Sequence, residues 1–161
     1  MADKSASIQT GSRTVPGSVL TGDVLVPGNA CAETIALDKP LSFWGGYDST
    51  AGRIVDRTHP QFGQSLAGKI MVMEQAKGSS SSSSVLAEAI RNGTGPVGIV
   101  LRERDLIVSI GAIVAVELYG IDVPVVCVDE AGFEAMATAS GPVRIEAAED
   151  GATLYLDIAP G

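Results

Sequence analysis

The feature that most constrains this chain is an alternation of strand-like and helix-like stretches between Lys69 and Gly141. Lys69-Ile70-Met71-Val72-Met73 is an apolar run of the kind found in strands buried on both faces. Val85, Leu86, Ala89 and Ile90 then recur at helical spacing until Asn92-Gly93, a stop signal. Val97–Leu101 predicts the next strand, followed by a helix from Ser109, read as its N-cap, to Tyr119, with Gly120 ending it. Pro124–Val128 predicts a third strand, and Asp129 caps a third helix expected to end near Ser140-Gly141. Val143–Ala147 and Thr153–Ile158 predict a closing hairpin around Asp150-Gly151. Such alternation requires crossover connections, and therefore a parallel sheet built from βαβ units.

The first third reads differently. Short β-like runs at Val24–Val26, Thr34–Leu37 and Arg53–Val55 are separated by the turn signals Pro27-Gly28-Asn29, Asp38-Lys39-Pro40, Gly45-Gly46 and His59-Pro60. These strands must form a further layer or extend the same sheet. The class is α/β, with a central parallel βαβ core and a strand-rich N-terminal layer. Residues 1–16 are expected to be a flexible polar extension, and 17–161 a single domain.

Charge narrows the function. The 161 residues carry 11 basic and 19 acidic side chains, a net charge of −8. That balance repels phosphate backbones and anionic membrane surfaces, so no nucleic-acid or membrane partner is expected. The longest apolar stretch, Ile110–Tyr119, contains Glu117 and has about half the length that a membrane span needs. The N-terminus lacks the apolar core of a secretory signal, and a cytoplasmic location is expected. Cys31 and Cys127 are far apart and form no CxxC pair, which fits two reduced, inert thiols.

Candidate chemistry is concentrated in one loop. Residues 77–84 read Lys-Gly-Ser-Ser-Ser-Ser-Ser-Ser. Serine runs ordinarily serve as flexible linkers. This one lies instead between a buried strand and an amphipathic helix of one βα unit, where α/β proteins bind ligands. Its serines also enter the first turn of the helix, where unpaired N–H groups attract anions. A hydroxyl there could cap the helix, hold a carboxylate or phosphate, or act as a base. The pattern is not a phosphate-binding GxxxxGK[ST] loop, since Lys77 precedes its glycine. His59, the single histidine, reads as structural within its His-Pro turn. Asp48 and Asp56 flank a solvated hairpin, Trp44 beside Phe43 reads as packing, and no cluster has metal-ligand spacing.

Leu41-Ser42-Phe43-Trp44-Gly45-Gly46-Tyr47-Asp48, then Thr50–Asp56, His59-Pro60, Gly63, Ser65 and Gly68-Lys69 form a distinctive string. With Lys77-Gly78-Ser79, Ser83, Val85-Leu86, Gly111–Ala115 and Pro124–Val126, it resembles the small subunit of aconitase X over about residues 17–130. The resemblance implies a swivelling β/β/α domain of a hydro-lyase that is fused to a large catalytic part in some members and is a separate subunit in others. It places the iron–sulfur cluster in the large subunit, in keeping with two distant cysteines that cannot supply three or four thiolates. By the family's K/R-G-S motif it makes Ser79 the catalytic base, with Gly78, Ser80 and Ser81 forming the substrate loop. Two positions depart from related patterns. Ser82 stands where members often have glycine, and Ser81 where ordinary aconitases have arginine, which argues against a tricarboxylate.

The small-molecule hydroxy acid implied by the resemblance is either cis-3-hydroxy-L-proline, dehydrated to Δ1-pyrroline-2-carboxylate, or mevalonate 5-phosphate. The few basic residues near the loop favour the former, since a phosphomonoester recruits arginine or lysine. A stand-alone binding module of the same fold is the alternative from another class.

Overall fold

The computed structural model describes residues 18–156. The expected extension at 1–16 and the last expected hairpin residues, Asp157 and Ile158, lie outside them. In chain order the elements are β1 (Ser18–Val26), β2 (Gly28–Ala32), β3 (Thr34–Ala36), a single turn α1 (Phe43–Gly46), β4 (Tyr47–Asp48), β5 (Arg53–Ile54) and β6 (Ile70–Met73). There follow α2 (Ser81–Asn92), β7 (Gly98–Leu101), α3 (Leu106–Tyr119), β8 (Val125–Cys127), α4 (Glu130–Ala137), β9 (Val143–Ala148) and β10 (Gly151–Leu156).

Eight strands form one sheet in the order β2-β9-β10-β1-β8-β7-β6-β3. β3, β6, β7 and β8 run parallel, as the strand–helix alternation requires. β1, β10, β9 and β2 pair antiparallel, and β1 joins the two halves by pairing antiparallel with β8. The sheet curls so that β2 packs back over β6 and β7. Ala30 of β2 and Ile145 of β9 lie so close to Gly98 that a Cβ there would stand 3.1 and 3.2 Å from them.

Two cores result. On one face of the parallel strands Leu86, Ala89, Val108, Ala112 and Ala115 of α2 and α3 pack with Ile99, Leu101 and Met73. On the other, Ile70, Val72, Val100 and Val126 meet Val143, Ile145, Leu154 and Leu156 of the hairpin and Met136 of α4. A parallel strand covered on both sides must be apolar throughout, which is why Ile-Met-Val-Met and Gly-Ile-Val-Leu are wholly buried. The layering is helix, sheet, sheet, in agreement with the expected β/β/α class. The second sheet layer combines N-terminal β1 and β2 with C-terminal β9 and β10, while β3 extends the parallel half.

Several local expectations change. Pro27-Gly28-Asn29 is a corner, not a loop: β2 begins at Gly28, with Pro27 alone between it and the end of β1. Gly28 has φ 152°, and a Cβ there would crowd Pro124 at 3.3 Å. α3 starts at Leu106, capped by Asp105, whose Oδ1 accepts the Val108 N–H at 3.0 Å. Ser109 is inside the helix and donates back to the Asp105 carbonyl, so it is not the cap. Asp129 caps α4 as expected, by accepting the Gly132 N–H, but the helix ends at Ala137. No helix among the described residues is long and apolar enough to cross a membrane.

Candidate active site at the serine loop

The serine loop leaves the carboxyl end of β6 and enters α2. Asp105 fastens its start: beyond capping α3, its Oδ2 accepts the Ala76 N–H at 2.9 Å. Gly78 then turns the chain with φ 106°. A side chain is excluded there by space as well as by conformation, because a Cβ would stand 2.6 Å from Ser42 Oγ and 3.0 Å from Ser82 Oγ.

Gly78 therefore aims Ser79 outward. Ser79, Ser80 and Ser81 are all exposed. The Ser79 carbonyl accepts the Ser82 N–H, and its Oγ accepts the Ser81 N–H at 3.3 Å. Ser79 Oγ thus faces the amino end of α2, where peptide dipoles place partial positive charge. The next two serines behave differently. Ser82 is fully buried, and Ser83 is buried with its Oγ donating to the Ile107 carbonyl at 2.8 Å, which ties α2 to the start of α3.

The Leu41–Asp48 block packs beneath this corner. Leu41 and Phe43 are fully buried, and Phe43 meets Tyr47 edge-on. Trp44 is not packing, as the sequence suggested: it is 64% exposed. Its backbone (φ −72°, ψ 114°) and the left-handed Gly45 (φ 78°) break the helical turn and rotate the indole outward. Two serines hold the backbone of Trp44 itself, for its N–H donates to Ser82 Oγ at 3.1 Å and its carbonyl accepts from Ser42 Oγ at 3.0 Å. Ser42, Ser82 and Asp105 are structural members of the site that sequence reasoning missed. Ser82, which departs from the pattern that the resemblance implies, was the available signal.

His59 is buried, and both ring nitrogens are used. Nδ1 accepts the Gln61 N–H and Nε2 donates to the Lys39 carbonyl, a structural latch as expected. Asp48 and Asp56 terminate local turns. The Asp48 carboxylate accepts the Ala51 and Thr50 N–H groups, which lower its pKa. The Thr58 hydroxyl and N–H do the same for Asp56, and Lys77 adds to the effect through charge.

Positive charge near the loop is mostly neutralised. Arg102 lies within 4 Å of Glu130, Glu74 and Glu103, at 2.8, 3.3 and 3.6 Å. Arg104 pairs with Asp23 at 3.6 Å. Lys77 is the cation on the loop itself. A separate groove of about 320 Å³ lies at the seam of β1 and β8, lined by Thr21, Asp23, Cys127 and Asp129. Its two carboxylates are already engaged, by Arg104 and by the end of α4. The described residues contain no group of three or more His, Cys, Asp or Glu that could hold a metal. Cys31 and Cys127 are free thiols, and this donor set does not fit an iron–sulfur cluster.

Comparison with known proteins gives the chain its family. A cis-3-hydroxy-L-proline dehydratase of Pseudomonas aeruginosa is 43% identical over 106 residues, 66% of this chain and 18% of that protein. The chain thus spans about a fifth of the length of such relatives, the corresponding Hypocrea jecorina enzyme being 36% identical over 20% of its length. A phosphomevalonate dehydratase small subunit of Thermococcus onnurineus is 41% identical over 60% of this chain and 74% of its own length. The crystal structure of Thermococcus kodakaraensis aconitase X superimposes with TM-score 0.70 at 33% identity, covering 87% of this chain and 98% of that one. The sequence model of the aconitase X swivel domain matches residues 19–154, nearly the whole of the described fold, and the chain belongs to that family.

Proposed function

We propose that this chain is the small, swivel subunit of a heteromeric hydro-lyase and that Ser79 is its base. The observation that carries the reading is the position of Ser79 Oγ. Gly78 turns it to the surface, and it receives an N–H at the amino end of α2. A serine hydroxyl is a very poor base unless its alkoxide is stabilised. A hydrogen bond to the charged form and the helix dipole both act in that direction, and both strengthen once water is excluded.

The reaction is loss of water from a hydroxy acid. Ser79 takes the proton α to the carboxylate, and the β-hydroxyl departs on the side of a large subunit. With cis-3-hydroxy-L-proline the resulting enamine tautomerises to Δ1-pyrroline-2-carboxylate. The iron–sulfur cluster of the family is assigned to that large subunit. The present chain supplies the base, the loop amides and serines 80 and 81 that border the substrate.

The charge inventory supports the hydroxyproline. Its single carboxylate can be met by hydroxyls, N–H groups and Lys77, whereas Arg102 and Arg104 are occupied by carboxylates. The second reading, mevalonate 5-phosphate, is favoured by the small-subunit relatives that match most of their own length. Reconstitution with candidate large subunits, assayed on both compounds, tests the proposal. Dehydration of the hydroxyproline by the complex and none by the chain alone is expected. Turnover of mevalonate 5-phosphate alone would overturn the substrate, and activity of the isolated chain would overturn the division of labour.

A further inference from the structure

Nine large apolar side chains among the described residues are exposed, and two of the most exposed lie beside the serine loop. Trp44, 64% exposed, stands on the α1 turn that Ser82 holds against the first turn of α2. Leu106, 77% exposed, is the first residue of α3, beside the Ser83–Ile107 hydrogen bond that ties α3 to the first turn of α2. Both lie at the carboxyl end of the parallel strands. Neither position is a loose surface accident. The backbone at Trp44 is fixed by two hydroxyls and that at Leu106 by the Asp105 cap, so each side chain is presented from a rigid frame.

We infer that Trp44 and Leu106 are the two anchors by which this domain docks onto the large subunit, beside the loop that carries Ser79. This rests on the proposed function. Three observations single out that occupant. The base beside the two anchors is useful only when another body covers it, so the docking surface must be continuous with the loop. The matching segment is about a fifth of the dehydratases that contain it in one longer chain, so the body that covers it is several times larger than this domain. The carboxylates of Glu74, Glu130 and Asp23 are paired with Arg102 and Arg104, and Asp105 is taken up by the Ala76 and Val108 N–H groups, so beside Lys77 the adhesive is aromatic and aliphatic surface. Tryptophan is among the residue types that dominate interface energetics.

The fold supplies its own control. Leu118 is 69% exposed on the same helix as Leu106, but about 18 Å away along the axis, at the end remote from the loop. The experiment uses a large subunit that restores dehydration, and measures its Kd for wild-type chain and for W44A, L106A and L118A. Trp44 is the single tryptophan, so a fluorotryptophan-labelled chain reports its surroundings from one fluorine resonance. Kd should rise at least about tenfold for W44A and for L106A, as for truncated interface anchors, and stay unchanged for L118A. The resonance should shift on adding the large subunit without substrate. Unchanged Kd in both loop-side variants, or a resonance that moves only when substrate is added, would overturn the docking assignment while the proposed function stood. Failure of every large subunit to bind the wild-type chain would instead overturn both.

Discussion

The two halves of the main sheet are built by opposite rules. In the parallel half, β6 and β7 are buried at every position, and their sequences are apolar throughout. In the antiparallel half, β9 reads Val-Arg-Ile-Glu-Ala-Ala with alternate residues buried, because one face meets solvent. The parallel half needs helices to return the chain, and each return leaves a loop at the carboxyl end of a strand. The antiparallel half closes with the two-residue turn Glu149-Asp150, which has no length to spare for chemistry. Function is therefore expected to be confined to the parallel half and stability to be shared.

The sharpest break of that contrast is Ser79→Ala. Removing a general base costs about 10²–10⁴-fold in turnover, and kcat of the reconstituted complex should fall by that much. Stability should change by no more than about 1 kcal/mol, the worth of a lost cap. An inactive Ser80→Ala variant beside an active Ser79→Ala would move the base by one residue. The mirror experiment is Leu154→Ala in β10. Leu154 is fully buried, and the change should cost about 2–5 kcal/mol in denaturant unfolding. Turnover at a temperature where the variant is folded should stay near wild type.

Smaller effects sharpen the boundary between the halves. Cys31, on β2, is exposed, whereas burial raises the Cys127 thiol above its usual 9.0 at the end of β8. Thiolate is the reactive form, so an alkylating reagent should modify Cys31 faster, on the order of tenfold. Mass mapping of partially labelled protein checks it. Smallest is the pH response of Asp56. The Thr58 hydroxyl and N–H, and then Lys77, hold its carboxyl below 3.8. Its contribution to stability is thus present above that value and lost as pH falls through the lower folded value. Asp56→Asn should be slightly less stable than wild type near neutrality and indistinguishable from it once Asp56 is protonated, by denaturant melts across that range.

What could be read in advance follows from how local each determinant is. β6, β7, α2 and the Gly93 and Gly120 stops were legible because double burial and helical spacing write themselves into neighbouring residues. The serine loop was legible by its place after a buried strand. β2 was not, since Gly-Asn-Ala-Cys-Ala has no β signature of its own and is a strand only because β9 pairs with it. Asp105 was passed over for Ser109 because the apolar run begins ambiguously and either residue is an acceptable cap in isolation. Trp44 could not be separated from Phe43, because a left-handed glycine one residue later decides which ring turns inward. The Ser42 and Ser82 clamp joins residues 40 apart, and its hydroxyls look like any others until the fold brings them together.

The pairing of β1 and β2 has a consequence for biosynthesis. β1 finds its partners in β8 and β10, and β2 in β9, all more than ninety residues later in the chain. Translation proceeds at about 5–20 residues per second, so the first two strands leave the ribosome several seconds or more before anything exists for them to pair with. Throughout that interval they are open edges in a crowded cell. The nascent chain is consequently a natural client for a holding chaperone, and its yield should depend on how fast the last hairpin is made.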